Sequence, residues 1–194
     1  IKHGTVTVMM NGEGFEVTTY RGEGTYSDGR RPDDVQFLNT IEEDLARRDF
    51  TINAIAYDPI NCVFRDPFLG RNDIDACLIR AVGNPYSRFT EDGLRVLRAA
   101  RFAATLRFEI EPETYQAINP SLRSYTKVSA ERIRDEWMKI MSAREPSVAF
   151  KIMAETGMLE VTVPEMVPMF NCTQNKYHAY DVWVHTLEVV DACP

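Results

Sequence analysis

The most restrictive feature of this sequence is a change in hydrophobic pattern partway along its 194 residues. Residues 5–9 and 15–20 are β-branched and aromatic, a composition that predicts strands. From about residue 86 the apolar residues recur at helical spacing. Strands with one helix followed by helices only predict an α+β portion that leads into an all-α region.

The two strand runs are joined by a pair of residues that favours a tight turn. Asn11-Gly12 lies between them, and this dipeptide is typical of a two-residue β-hairpin. Residues 21–35 are rich in Gly, Asp, Arg and Pro and therefore predict an exposed, mobile loop. A short strand is predicted near Val63.

Helix signals follow in several places. The predicted helices are residues 41–57, 91–106, 129–142 and 146–159, with a last one beginning near Tyr180. Asn39 or Thr40 can cap the first helix, and Ser129 can cap the third. Gly157 is expected to end the fourth helix or to lie just before its end.

Composition bounds the class of protein. No apolar run reaches the length of a membrane-spanning helix. The four cysteines show no CxxC spacing, which is typical of reduced thiols in a cytoplasmic protein. The net charge of −7 argues mildly against a nucleic-acid partner. The arginines nevertheless cluster, and net charge says little about a local patch.

The first polar cluster combines Arg47, Arg48, Asp49 and Asn53. Asp49 and Asn53 are four residues apart and would share one face of the predicted helix. A carboxylate accepts a hydrogen bond from a hydroxyl, and a guanidinium binds phosphate oxygens. The cluster therefore suits a ribose next to a phosphate. A solvated, charged helix start is the alternative.

The second cluster comprises Glu91, Asp92, Arg95, Arg98 and Arg101. An acceptor (Asp92) one turn from a donor (Arg95) matches a base edge with an amino group beside a ring acceptor, which cytosine and adenine present. The three arginines repeat every three residues on a partly buried helix and need anionic partners. Intrahelical ion pairs with Glu91 and Asp92 are the alternative.

Two further places suggest metal binding. Glu16, in the second strand, could help to hold a divalent cation beside an active site, or could be an ordinary exposed strand residue. His178, Asp181 and His185 lie near the C-terminus, and the last two could share one metal from adjacent helical turns. A full set of metal ligands is not present there.

In this order, the motifs resemble those of the family of tRNA nucleotidyltransferases (CCA-adding enzymes) and poly(A) polymerases. Residues 47–54 (RRDFTINA) resemble the motif that selects ribose over deoxyribose. Glu91-Asp92 with Arg95 matches the EDxxR template for CTP and ATP, and residues 129–136 resemble the helix-end motif that follows it. The resemblance covers roughly residues 4–160.

Residues 15–21 are similar to the strand that carries the family's third catalytic carboxylate, here Glu16. The family's flexible-loop motif is matched by Asp28, Gly29, Arg30, Pro32 and Asp33. Residues 177–186 look like the opening of an HD-type phosphohydrolase domain, in which His185 would hold a second divalent metal. The His-Asp doublet of that domain would lie beyond residue 194.

The resemblance implies a domain plan. Residues 1–62 would be the C-terminal part of a polymerase-β-like nucleotidyltransferase head. Residues 63–145 would form a connecting segment and a helical neck with the nucleotide-selecting helix. Residues 146–176 would form a helical body, and residues 177–194 the start of the HD domain.

It also implies a reaction in which the tRNA 3′-hydroxyl attacks the α-phosphate of CTP or ATP without a nucleic-acid template. Mg²⁺ would assist, with its principal Asp-x-Asp ligands expected before residue 1, so that the chain alone would be inactive. The implied contacts are Arg48, Arg98 and Arg101 to triphosphate, Asp49 and Asn53 to ribose, and Asp92 and Arg95 to the base.

Several alternatives stay open at this point. The Asp28 loop motif argues against an enzyme that adds only CC, but it does not separate CCA, A and poly(A) addition. A phosphohydrolase acting on RNA ends through the HD domain is a second class of function. A non-catalytic tRNA-binding module is a third.

Overall fold

The computed structural model describes residues 5–23, 35–173, 175 and 179–193. The predicted α+β order is confirmed, since short antiparallel strand pairs come first and helices dominate from residue 85 onward. The predicted flexible-loop residues Asp28, Gly29, Arg30 and Asp33 lie outside the described residues, as does His178.

The predicted hairpin is confirmed. Strands β1 (Thr5–Met10) and β2 (Glu13–Thr18) pair antiparallel, with Thr5 opposite Thr18. Asn11 and Gly12 have φ values of 52° and 86°, the left-handed conformations that a type I′ turn requires at both central positions. Because alternate strand residues share a face, Glu16 and Thr18 lie on the same face of the hairpin.

Three further strand pairs are short. Antiparallel pairing joins β3 (Arg21–Glu23) to β4 (Val35–Phe37) and β5 (Ala56–Asp58) to β6 (Val63–Arg65). Strand β6 confirms the strand predicted near Val63. The parallel pair β7 (Leu78–Ile79) and β8 (Glu109–Ile110) was not predicted, because two-residue strands carry no periodic signal.

The predicted helix at residues 41–57 is wrong beyond its first turns. Helix α1 (Ile41–Ala46) is followed by an extended Phe50 and a 3₁₀ helix at Thr51–Asn53. Phe50 pairs with Ala81 in a β-bridge, and its ring is fully buried. Burying that ring outweighs the weak helix propensity of the segment.

The helix predicted at residues 91–106 is confirmed from Leu94 onward, whereas Glu91 belongs to a separate helix. After α2 (Gly70–Asp75), α3 (Pro85–Glu91) ends at Asp92 and α4 (Leu94–Leu106) begins after Gly93. Asp92 has extended backbone angles, and its Oδ1 accepts from Leu94 N at 3.1 Å. Asp92 and Arg95 therefore do not stand on one continuous helix.

Helices make up most of the remaining described residues. They are α5 (Pro112–Gln116), α6 (Ile118–Tyr125), α7 (Ala130–Met141), α8 (Ser147–Glu155), α9 (Met158–Thr162), a 3₁₀ helix at Pro164–Met169 and α10 (Val182–Ala192). Gly157, at φ 76°, separates α8 from α9 as expected. Ser129 stands at the N-cap of α7, but its buried hydroxyl makes no capping bond.

One large hydrophobic core unites these parts. It runs from Phe50 through the buried face of α4 to α8, and Trp183 and Leu187 attach α10 to it. Phe50 meets the ring of Phe102 edge-on at 5.7 Å. Within the described residues, no helix has both the length and the apolar character that crossing a membrane requires.

Candidate functional site

An open cleft of about 600 Å³ lies where the hairpin, the segment after α1, the start of α4 and α7 meet. Eight residues singled out from sequence line it: Glu16, Arg47, Arg48, Asp49, Asn53, Asp92, Arg95 and Arg98. The lining also includes Phe102 and Arg132. Five guanidinium groups and three carboxylates therefore line the cleft, and further acidic residues next to it pair with the arginines.

Asp49 is the centre of a buried hydrogen-bond network. Its Oδ1 accepts from the Phe50 amide at 2.9 Å and from Asn53 Nδ2 at 3.1 Å. Its Oδ2 pairs with Nε and Nη2 of Arg98 at 2.7 and 2.5 Å. Asp49 and Asn53 thus meet as predicted, although through the 3₁₀ turn rather than an α-helix.

Arg47 and Arg48 both pair with the buried carboxylate of Asp44. Arg47 donates to Asp44 Oδ1 at 2.6 Å, and Arg48 lies 3.3 Å from Asp44 Oδ2. Asp44 is 2% exposed, whereas the Arg48 side chain is 43% exposed. Arg48 therefore presents its charge to solvent in the cleft more fully than Arg47 does.

Arg95 is fixed by contacts with three residues, two on α3 and one in the segment after α1. Its Nη1 donates to Glu91 Oε2 at 2.8 Å and to the Arg88 carbonyl at 2.9 Å, and its Nη2 donates to the Arg47 carbonyl at 2.9 Å. The predicted ion pair with Glu91 is present, but it joins the end of α3 to α4 and is not intrahelical. Glu91 does not line the cleft but holds the residue that does.

Asp92 is paired with Arg132 of α7. The two guanidinium nitrogens reach the two carboxylate oxygens at 3.2 and 2.7 Å, a fork geometry that fixes orientation. In the sequence, Arg132 falls within the helix-end motif of residues 129–136 and was given no separate role. The argument that arginines on a partly buried helix need anionic partners applies to Arg132 as well, and it could have identified Arg132 as a partner for an acidic residue.

Arg101 turns away from the cleft toward a second buried acid on α7. Its Nε donates to Glu136 at 2.5 Å, and its guanidinium stacks 3.7 Å from the centre of the Phe102 ring. Burial lowers the pKa of Arg101 from its ordinary value, while Glu136 opposes that change. Glu136 also lies 3.7 Å from Arg98 and so links the two arginines.

The metal predictions rest on single side chains. Glu16 supplies one carboxylate to the cleft, a ligand type that suits a hard divalent cation. Across the described residues no group of three or more His, Cys, Asp or Glu side chains gathers to hold a metal. His185 is exposed on α10, and its role in an HD domain stays a prediction.

Two family models match the chain. The model described as the poly A polymerase head domain matches residues 1–80. The model described as the probable RNA and SrmB-binding site of polymerase A matches residues 107–170. The two matches fall on the strand-containing part and on the helical part, respectively.

The chain is also similar, in sequence and in structure, to several known CCA-adding enzymes. The chain is 51% identical over 160 residues to the CCA-adding enzyme of Lactobacillus johnsonii, covering 82% of this chain and 40% of that protein. The Bacillus stearothermophilus CCA-adding enzyme in complex with CTP superposes with a TM-score of 0.72 at 41% identity, over 81% of this chain and 37% of that one. The Thermotoga maritima CCA-adding enzyme complexed with tRNA_CCA gives 0.60 at 29% identity, over 71% and 33%.

These proteins share an architecture with this chain, which spans about two fifths of the length of the curated relatives it matches. The fold and the two family models place the chain with proteins that have a poly(A) polymerase head domain followed by a helical region. Within that class, the chain belongs to the family of tRNA nucleotidyltransferases and poly(A) polymerases.

Proposed function

We propose that the cleft binds CTP and ATP and that the full-length protein adds CMP, AMP or both to the 3′ end of tRNA without a nucleic-acid template. The observation that carries the proposal is the juxtaposition of Asp92 and Arg95 in an arginine-rich cleft that also holds Asp49 and Asn53. Support comes from relatives named CCA-adding enzyme, one of them solved with CTP.

The triphosphate is assigned to the arginines that reach solvent. Arg48 is the most exposed of the cleft arginines, and Arg98 is 28% exposed. Guanidinium groups bind phosphate oxygens through paired donors. Arg101 does not line the cleft and acts indirectly: it holds Glu136 in place, and Glu136 in turn lies close to Arg98.

The ribose is assigned to the Asp49–Asn53 pair. Asn53 donates to Asp49 Oδ1, which leaves the amide oxygen of Asn53 as a further acceptor. The described contacts of Asp49 use all four of its acceptor positions, so Asp49 holds Asn53 in place. The amide oxygen of Asn53 can then accept from a ribose 2′-hydroxyl and its second N–H can donate to it, contacts that a deoxyribose lacks. Arg98, paired with the same carboxylate, would place the sugar next to the phosphates.

The base is assigned to Asp92 and Arg95. A carboxylate offers about four lone-pair positions, and the described contacts of Asp92 are two N–H groups of Arg132 and the Leu94 amide. One acceptor position therefore remains for an exocyclic amino group. Arg95 donates to the neighbouring ring acceptor, a combination that selects cytosine and adenine over uracil and guanine.

Mg²⁺ is part of the proposal, with Glu16 as one contributing ligand and its principal ligands outside this chain. When bound, two such ions lower the pKa of the attacking hydroxyl and stabilise the leaving oxygen. The described residues of this chain bind and orient the nucleotide.

The experiment uses full-length protein, tRNA that lacks its CCA end, and each nucleotide alone. CTP and ATP should be incorporated, and UTP and GTP should not. Asp92→Asn should lower the preference for CTP over UTP by roughly tenfold or more, because the acceptor for the amino group becomes ambiguous. Asp135→Asn, an exposed acid on α7, is the matched control.

An unchanged UTP misincorporation rate in Asp92→Asn would remove the base-reading role. A long ladder of adenylates on RNA other than tRNA would point instead to poly(A) polymerase activity, the other activity of the same family.

A further inference from the structure

The segment proposed to contact the ribose, residues 47–54, is anchored by a buried hydrogen bond that lies outside the cleft. Thr51 is 2% exposed, and its hydroxyl donates to Asp73 Oδ2 at 2.6 Å. Asp73 lies on α2, 22 residues further along the chain, and is 7% exposed. Neither residue lines the cleft.

Backbone hydrogen bonds at Thr51 and Asp49 join this segment to residues 80–82 in addition to the side-chain bond. The Thr51 amide donates to the Arg80 carbonyl at 2.9 Å, and Val82 N donates to the Asp49 carbonyl at 3.1 Å. The first residue of α2 packs directly on Thr51: a Cβ on Gly70 would lie 2.7 Å from the Thr51 carbonyl carbon. Helix α2 is therefore seated against the 3₁₀ turn.

Asp73 is itself held by charge. Arg80 Nε lies 3.2 Å from Asp73 Oδ2, and Arg80 Nη1 lies 3.4 Å from Glu111 Oε1. Glu111 accepts from both the amide and the hydroxyl of Thr114 at 2.8 Å. A buried carboxylate with a fixed cation on one side is a well-oriented acceptor for the threonine hydroxyl.

Thr51 is the first residue of the turn that carries Asn53. Ala54 N donates to the Thr51 carbonyl and Asn53 N donates to the Phe50 carbonyl, each at 2.9 Å, so a rotation at Thr51 moves the whole turn. Asn53 Nδ2 reaches Asp49 at 3.1 Å, near the upper limit for such a bond. A small shift of the turn would break this contact.

We infer that Asp73 is a positioning residue for sugar selection: through the Thr51 hydroxyl it sets the 3₁₀ turn that aims Asn53 at Asp49. This inference rests on the proposed role of the Asp49–Asn53 pair as the ribose contact. Asp73 itself touches no substrate.

The test compares Thr51→Val with Thr51→Ser in the full-length protein. Valine keeps the shape of threonine and loses the hydroxyl, whereas serine keeps the hydroxyl and loses a methyl group. The readout is kcat/KM for CTP divided by kcat/KM for 2′-deoxy-CTP. Thr126→Val, which removes an exposed hydroxyl bonded to the Arg123 carbonyl, is the matched control.

Thr51→Val should lower this ratio by roughly tenfold through loss of activity with CTP, while activity with 2′-deoxy-CTP changes little. Thr51→Ser and Thr126→Val should keep the wild-type ratio. A merely structural defect would lower activity with both nucleotides equally and leave the ratio unchanged, and that result overturns the inference.

The controls also separate this inference from the proposed function. If wild-type protein does not prefer CTP over 2′-deoxy-CTP, the assignment of Asp49 and Asn53 to the ribose fails, and the inference fails with it. If the wild type shows the preference and Thr51→Val retains it, only the positioning role of Asp73 is wrong. If Thr51→Val does not fold, Thr51→Ser decides the question. A Thr51→Ser protein that folds but no longer prefers CTP over 2′-deoxy-CTP also overturns the inference.

Discussion

Replacing Gly93 with alanine would test the junction that places Asp92 in the cleft. Gly93 has φ −59° and ψ −23°, angles that alanine adopts freely, so only space opposes the change. A Cβ there would lie 2.5 Å from the amide nitrogen of Tyr125 and closer still to the Ser124 carbonyl. That is about 1 Å less than the usual separation of non-bonded heavy atoms.

The expected loss of stability in Gly93→Ala depends on which atoms the new Cβ would meet. Both obstructing groups are backbone at the end of α6, so no side chain can rotate away. Overpacking of this kind costs roughly 3 kcal/mol, and the lower unfolded-state entropy of alanine returns up to about 1 kcal/mol. A net loss of about 2 kcal/mol corresponds to a fall in Tm of roughly 4–8 °C for a chain of this length.

Thermal unfolding followed by circular dichroism measures this shift, and CTP affinity measured on the same sample reports the displacement of Asp92. Gly14→Ala is the control, because its Cβ would meet the end of the Thr7 side chain at 3.2 Å. The control should shift Tm by no more than about 2 °C. A Gly93→Ala Tm within that margin, with unchanged CTP affinity, would refute the proposed steric role of Gly93.

Two further predictions concern other contacts. Arg132→Gln should weaken the preference for CTP over UTP by roughly tenfold, because Asp92 loses its fork partner, and Arg132→Lys should restore it only in part; equal incorporation ratios in all three proteins would contradict this. Burial and Glu155 raise the pKa of Tyr115 from 10.0 to about 12, so the unfolded state releases this proton first. The stabilisation from Tyr115 should be intact below pH 10 and lost as the pH rises toward 12, and urea unfolding of Tyr115→Phe should show a smaller loss than wild type over that range.

Local signals predicted the parts of the fold that local interactions determine. Asn11-Gly12 requires left-handed backbone angles, so the hairpin could be located from two residues. The cap at Thr40 accepts from the Glu43 amide, and Gly157 ends α8. These features depend on neighbours within a few positions, which sequence spacing reports directly.

The failures were at positions where a distant partner decides the structure. Phe50 leaves the helical pattern because it pairs with Ala81 and fills the core. Asp92 has extended backbone angles at the start of the predicted nucleotide-selecting helix, next to Gly93, where the end of α6 comes close. No spacing rule contains such contacts, since the partners are 31 residues away in each case.

The same limit applied to the partners within the cleft. Sequence reasoning selected Asp49, Asp92 and Arg98 and recognised that the arginines need anions. It did not pair Arg98 with Asp49 or Asp92 with Arg132, because those bonds cross between separate elements. The residue types were predictable, whereas their pairing depends on tertiary structure.

The hydrogen bonds that join separate segments around the cleft affect the order in which the chain folds. Arg98 binds a residue 49 positions away, Arg95 bonds to the Arg47 carbonyl 48 positions away, and Asp92 and Arg132 are 40 apart. Contacts between such distant positions form only after long loops have closed, so the binding cleft should be among the last parts of the chain to assemble. Substitutions in these pairs should accelerate unfolding and leave the folding rate nearly unchanged.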